Sequence, residues 1–212
     1  MELNNNTEGS GFVPSKEQKL SEIDEGEFFV NSHRKVRTLT EKQQINLLQY
    51  FEDQTLHIQR RFVSRLSPPN GYATISELIF DLNKLIGVIW YSIVSSEPGD
   101  ESNVLSIVIE ETSQLKLFGQ TSHLLTISDN LIDYIEGFIH ELDPEKILET
   151  ILKLDKIFCN LLDSEALTRT EIVRLESIAE RTRIAVALAF ENITGYETEI
   201  GEVYENVLNR IT

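Results

Sequence analysis

Apolar side chains recur every three or four residues along most of this 212-residue chain, and this helical period is the feature that most limits its fold. The period continues from Thr40 to Ile211 with few interruptions, because the chain holds only 10 glycines and 5 prolines. The pattern predicts an all-α fold, a single helical bundle of about six or seven helices.

Local signals divide this periodic region into helices. The first helix is predicted from Thr40 to Leu66, with a core face of Ile45, Leu48, Phe51, Ile58, Phe62 and Leu66. Capping boxes at Thr74 with Glu77 and at Thr168 with Glu171 predict two further helix starts. Helices are also predicted from Thr121 to His140, after Asp143-Pro144-Glu145, and from Ile200 to Ile211. Residues 104–117 fit a strand or a helix, and the positions of Val104, Ile107, Val108, Glu111 and Leu115 favour the helix.

The first 38 residues differ from the rest, because they are polar and show little hydrophobic periodicity. We interpret residues 1–38 as a disordered acidic N-terminal arm and residues 39–212 as the helical bundle domain. Within the arm, SEIDEGEFF at residues 21–29 mixes aromatic and acidic side chains. Such a mixture is typical of segments that dock on a basic partner, so Phe28 and Phe29 are candidate protein-binding residues.

The net charge of the chain limits the classes of partner that it is expected to bind. With 35 acidic against 19 basic side chains the net charge is −16, which disfavours direct nucleic-acid binding and anionic membranes. No apolar stretch approaches the ~20 residues needed to span a bilayer, and the polar N-terminus lacks the apolar segment of a secretion signal. The single cysteine, Cys159, fits a reducing compartment, so we expect a soluble intracellular protein.

Motifs for catalysis or metal binding are missing from the sequence. The four histidines are scattered, so no metal site is predicted. The sequence also has no phosphate-binding loop, no nucleophile elbow and no cofactor motif. These observations favour a non-enzymatic protein-protein interaction module. The alternative is a small helical-bundle enzyme or ligand-binding protein with its site in an interhelical pocket.

The segment RTEIVRLESIAERTR, residues 169–183, concentrates arginine in an acidic chain. Its core stripe is predicted as Ile172, Leu175, Ile178, Ala179, Thr182, Val186 and Ala189. Arg183 falls on one flank with Glu176 and Glu180, at spacings that allow pairing within the helix. Arg174 and Arg181 lie on the other flank and need carboxylates from a neighbouring helix or from a partner protein.

Several segments, taken in order, resemble one known family. RRFVSRL, GYATISELIFDLNKLIGVIWYSI, LLTISDNLIDYIEGF and ILKLDKIFCNLLDSEALTRTEIVRLESIAERTRIAVAL are similar to the fungal accessory subunit of the general transcription factor TFIIH, its eleventh subunit. The resemblance covers about residues 58–190. It implies a nuclear, non-enzymatic protein that binds TFIIH subunits and promotes release of the XPB-type DNA translocase. It supplies no catalytic residues, and the features it offers for protein binding are Arg174, Arg181 and Arg183.

Overall fold

The computed structural model of the chain describes residues 39–67, 70–94, 115 and 117–212, and within these ranges the fold is a helical bundle. The helices are α1 (Glu41–Val63), a 3-10 helix (Ser64–Leu66), α2 (Ile75–Ile93), α3 (Gln120–Gly137), α4 (Pro144–Asp163), α5 (Arg169–Ala189), α6 (Glu197–Gly201) and α7 (Glu205–Ile211). The prediction of an all-α bundle of six or seven helices is confirmed. The predicted arm at residues 1–38 lies outside the described ranges, and the division of the chain at residue 38 stays a prediction.

The helix starts follow the capping signals in the sequence. Thr168 and Glu171 form the full capping box at α5, and the Thr74 side chain accepts the backbone N–H of Glu77 at α2. Asp143 caps α4, whose first residue is proline. These side chains satisfy backbone N–H groups that have no partner inside the helix, so local sequence alone defines where α2, α4 and α5 begin.

Two helices form the centre of the bundle. Helix α2 packs against α1, α3 and α4, whereas α3 packs against α1, α2 and α5, and α7 covers α4 and α5. The side chains that α2 and α3 contribute to the core are almost all isoleucine or leucine. They include Leu78, Leu82, Ile86, Ile89, Leu124, Leu131 and Ile135, all at most 1% exposed.

The predicted core face of α1 is partly wrong. Phe51 and Ile58 are buried, but Ile45 and Leu66 are 60% and 85% exposed. Helix α1 lies at the edge of the bundle and packs mainly against α2 and α3 among the long helices described, so it needs a narrower buried face than its apolar pattern suggests. Two predicted core positions therefore face solvent.

A small polar cluster joins the two helices of the α1–α2 hairpin. The Asp81 carboxylate accepts hydrogen bonds from Arg61 Nη1 at 2.8 Å and from the Tyr72 hydroxyl at 3.0 Å. The Arg61 guanidinium also lies 3.9 Å from the centre of the Tyr72 ring. Burial first, and then the hydrogen bond to Asp81, raises the pKa of Tyr72. The cluster fixes the link between the helices, because each polar group has a partner.

The C-terminal segment differs from the prediction, since two short helices replace one. Helices α6 and α7 are separated at Tyr204, which has a left-handed backbone with φ of 51° and a buried side chain. Asp155 on α4 accepts the backbone N–H of Val207 at 3.0 Å and Nδ2 of Asn206 at 2.8 Å. This buried carboxylate caps the first turn of α7 from another helix, a contact that the local sequence of α7 does not reveal.

The segment with alternative predictions lies mostly outside the described residues. Of residues 104–117, the structure describes Leu115 and Leu117, and Leu115 forms an isolated antiparallel bridge with Val94. The preference for a helix there is therefore untested. Among the described helices, none is long and apolar enough to cross a membrane.

The helix contacts predict opposite effects for two glycines. A Cβ atom added at Gly137 would clash with the Phe62 ring, which already packs against Tyr134 and Phe138. At Gly87 on α2 the same atom would meet nothing within 4 Å. We expect Gly137→Ala to lower the free energy of unfolding by about 1–3 kcal/mol and Gly87→Ala to raise it by about 0.5–1 kcal/mol. Chemical denaturation followed by circular dichroism measures both, and equal effects would contradict this packing.

Candidate protein-interaction surface

Helix α5 is held against α3 at its first turn by the carboxylate of Glu171. This carboxylate accepts the backbone N–H of Thr168 at 2.9 Å and the hydroxyl groups of Thr168 and Thr121. Burial favours a raised pKa for Glu171, but these hydrogen bonds outweigh it and hold the pKa below its ordinary value. Glu171 is therefore charged at neutral pH, and it fixes the start of α5 on α3.

Arg181 and Arg174 follow the same α3–α5 boundary. Arg181 Nη1 donates to the Asp129 carboxylate on α3 at 2.7 Å, and about half of the Arg181 side chain remains exposed. Arg174 Nη2 donates to the Thr126 hydroxyl at 3.4 Å, and its charge helps to lower the pKa of Glu171 one turn earlier. Helix α3 thus supplies a carboxylate to Arg181, whereas it supplies only a hydroxyl group to Arg174.

Arg183 does not make the contacts predicted from its helical spacing. Among the described residues it forms no ion pair with Glu176 or Glu180, and its Nη2 instead donates to the Gly201 carbonyl at 3.5 Å. Gly201 ends α6, where backbone carbonyls lack helical partners and attract a cation. The predicted pairing within α5 is therefore wrong, because the Arg183 side chain turns towards the end of α6.

Exposed apolar side chains lie beside the two arginines on the outer side of α5. Val173, Ile184 and Leu188 are each about 60% exposed or more, and on the helical wheel they lie opposite the buried stripe. We name Val173, Arg174, Arg181, Ile184 and Leu188 the α5 surface. Sequence reasoning identifies the arginines but not the apolar residues, although their spacing away from the core stripe is visible in the sequence.

The other candidate binding residues, Phe28 and Phe29, lie outside the described part of the chain. The structure therefore does not place them relative to the α5 surface. Their role in docking on a partner stays a prediction from the sequence.

A shallow depression between α4 and α7 is one candidate for an interhelical binding site, and a second lies between α1 and α2. Asp155, Cys159, Asp163, Asn206 and Arg210 are among the lining residues of the first. Asp155 already caps α7, and Asp163 accepts a hydrogen bond from Arg210 at 2.8 Å. Burial raises the pKa of the Cys159 thiol to about 11, so the thiol stays protonated at neutral pH and is a poor nucleophile.

The described residues include no group of three or more histidine, cysteine, aspartate or glutamate side chains arranged to hold a metal ion. The exposed groups of the bundle that could bind a partner are therefore apolar side chains and charged side chains. The α5 surface combines both on one long helix.

The Arg181–Asp129 pair predicts a small, reversible effect on stability. We expect Arg181→Glu to lower the free energy of unfolding by about 1 kcal/mol at low salt, because two carboxylates then face each other at an exposed position. Adding Asp129→Arg should restore most of the loss. Lys156→Glu, on the exposed side of the middle of α4, is the control for the change in charge. Urea denaturation measures the free energy of unfolding of the three variants and of the unchanged chain. A loss of stability in Arg181→Glu that Asp129→Arg does not reverse would show that the two side chains do not form a stabilising pair.

Comparison with known proteins connects this bundle to transcription. The model of a family described as TFB6, subunit 11 of the general transcription factor TFIIH, matches residues 71–209, from the start of the α2 region into α7. A Saccharomyces cerevisiae protein named general transcription and DNA repair factor IIH subunit TFB6 is 33% identical, over 92% of this chain and 67% of that protein. An uncharacterized protein of Schizosaccharomyces pombe is 27% identical, over 82% of this chain and 96% of that protein.

No solved structure matches the chain. The family match includes the whole of α5, and with it every residue of the α5 surface. On the family match and on the identity to the yeast subunit, this chain belongs to the family of subunit 11 of the general transcription factor TFIIH.

Proposed function

We propose that this chain is a non-enzymatic interaction subunit that binds TFIIH in the nucleus and promotes release of its XPB-type DNA translocase. The observation that carries the proposal is the α5 surface, which lies on a firmly packed helix inside the region matched by the TFIIH subunit family. The yeast relative is named as a TFIIH subunit, which supports TFIIH as the partner.

The α5 surface has the chemistry of a helix-binding site. Val173, Ile184 and Leu188 offer an apolar centre that a partner could bury, and Arg174 and Arg181 offer an adjacent cationic edge. Arg181 uses Nη1 for Asp129, and its remaining N–H groups can donate to a second carboxylate. A partner helix with an apolar face and acidic residues along one side fits this arrangement.

Release of a translocase requires unequal affinity, because a ligand shifts an equilibrium only by the difference between its affinities for the two states. The bundle must therefore bind the free translocase more tightly than the translocase held within TFIIH. A contact surface that is partly covered by other TFIIH subunits in the assembled complex would give this difference without any catalysis. The proposal needs only binding at the α5 surface, and no chemical step.

Substitutions on the α5 surface test this proposal. We expect Leu188→Asp, and separately Arg174→Glu with Arg181→Glu, to reduce capture of TFIIH subunits by the tagged chain at least about tenfold. The first change places a charge in the apolar centre, and the second replaces attraction for acidic residues by repulsion. Leu152→Asp on α4 is the matched control, because Leu152 is also an exposed leucine in a long helix. Circular dichroism confirms that each variant is folded before capture is compared.

Two results would argue against the proposal. Normal capture by both α5 variants would remove the α5 surface as the binding site. A chain that captures no TFIIH subunit, but whose melting temperature rises with a small metabolite, would favour the alternative of a ligand-binding bundle with an interhelical pocket.

The arm gives a separate prediction. If Phe28 and Phe29 dock on a basic partner surface, Phe28→Ala with Phe29→Ala should weaken capture of TFIIH while the melting temperature of the isolated chain stays unchanged. Phe12→Ala is the control, because Phe12 belongs to the same arm but lies outside its acidic aromatic segment. Equal capture by the double variant, the control variant and the unchanged chain would leave the arm without a binding role.

A further inference from the structure

A second exposed apolar surface runs along α1. Ile45, Leu56, Val63 and Leu66 are 60%, 38%, 74% and 85% exposed, and we name these four residues the α1 stripe. They are separated by eleven, seven and three residues, so they follow one side of the helix for about 30 Å. The first three lie on α1 and Leu66 lies on the 3-10 helix that follows it, so together they form a row of exposed apolar side chains along one side of these two helices.

Two opposite charges flank the α1 stripe, and a third charged side chain, the exposed Glu52, lies on the stripe itself between Ile45 and Leu56. Asp53 and Arg60 are both exposed, and because they are seven residues apart they lie on the same side of the stripe. Neither forms an ion pair with any residue that the structure describes. Asp53 accepts one hydrogen bond, from Gln49 Nε2 at 3.2 Å on its own helix. The neighbouring Arg61, in contrast, is held by Asp81 of α2.

We propose that the α1 stripe binds the α1 stripe of a second copy of this chain, with the two helices antiparallel about a two-fold axis near Leu56. This arrangement packs Leu56 against Leu56 of the second copy. Ile45 and Leu66 lie at nearly equal distances on either side of Leu56, so Ile45 of one copy meets Leu66 of the other copy across the interface. Asp53 and Arg60 are likewise placed on either side of Leu56.

The flanking charges select the antiparallel orientation and favour a second copy as the occupant. In an antiparallel pair, the two-fold axis brings the same flank of both helices together. Asp53 of each copy then faces Arg60 of the other copy, which gives two equivalent contacts. In a parallel pair, the axis places the charged flanks on opposite sides of the interface, so neither charge gains a partner in the second copy. The surface is therefore complementary to itself in the antiparallel orientation.

The local charge also permits self-association at α1. From Glu41 to Leu66 the chain has four basic side chains against three acidic ones, although the whole chain carries a net charge of −16. Net charge repulsion between two copies is small where these nearly neutral helices meet. Helix α1 also lies before residue 71, where the match to the TFIIH subunit family begins, so this surface is separate from the proposed TFIIH-binding surface.

Charge exchange in the full chain tests the proposal. Sedimentation velocity over about a hundredfold range of concentration should show a monomer–dimer equilibrium. Asp53→Arg alone and Arg60→Asp alone should each weaken the dimer about tenfold, because two attractive contacts become repulsive. An equimolar mixture of the two single variants should form dimers again, since both flanking contacts are then attractive in the mixed pair. Arg169→Asp on α5 is the control for the change in charge.

Val63→Asp gives an independent test, because Val63 is exposed in the single chain and its replacement leaves the core intact. We expect this variant to be folded by circular dichroism and to be a monomer. A chain that stays monomeric at every concentration would overturn the proposal. The stripe would then be left for a TFIIH subunit or for another segment of the same chain. A dimer that neither the charge variants nor Val63→Asp weaken would also overturn the proposal. Capture of TFIIH is measured separately with the α5 variants, whose α1 stripe is unchanged, so failure of the TFIIH proposal can be told apart from failure of the dimer proposal.

Discussion

The packing of α2 against α3 is the interaction on which the rest of the bundle depends. Each helix buries a broad face of isoleucine and leucine, and burial of one such side chain contributes about 1.5–3 kcal/mol. Faces this broad need more than one neighbour, which is why α1 and α4 flank α2 while α1 and α5 flank α3. The buried hydroxyl groups of Ser128 and Thr182 cost little, because each donates to a carbonyl of its own helix.

This arrangement explains which features the sequence can predict. Helix starts depend on side chains a few residues apart, so Thr168 with Glu171 and Asp143 with Pro144 predict them correctly. The capping of α7 by Asp155 joins residues 52 positions apart. Such a contact depends on how α4 and α7 pack, and the period of the C-terminal segment predicts one longer helix instead.

Exposure is harder to predict than helicity. The period shows which side of α1 is apolar, but the number of neighbouring helices decides how much of that side is covered. Ile45 and Leu66 lie at the edge of the apolar face and stay exposed, whereas Phe51 at its centre is buried. On α5 the arginines can be found from the sequence, but only the fold places a carboxylate of α3 beside Arg181 and a carbonyl of α6 beside Arg183.

The two proposed surfaces, the α1 stripe and the α5 surface, lie on helices that both pack against α3. A dimer formed through α1 would carry two copies of the α5 surface, each on a firmly packed helix. When one copy engages a partner, a second contact within the same assembly becomes intramolecular, and such linkage can raise the overall affinity about 10²- to 10⁴-fold where the geometry allows it. A modest α5 surface of three apolar residues and two arginines could then suffice for stable association, while each single contact remains weak enough to dissociate.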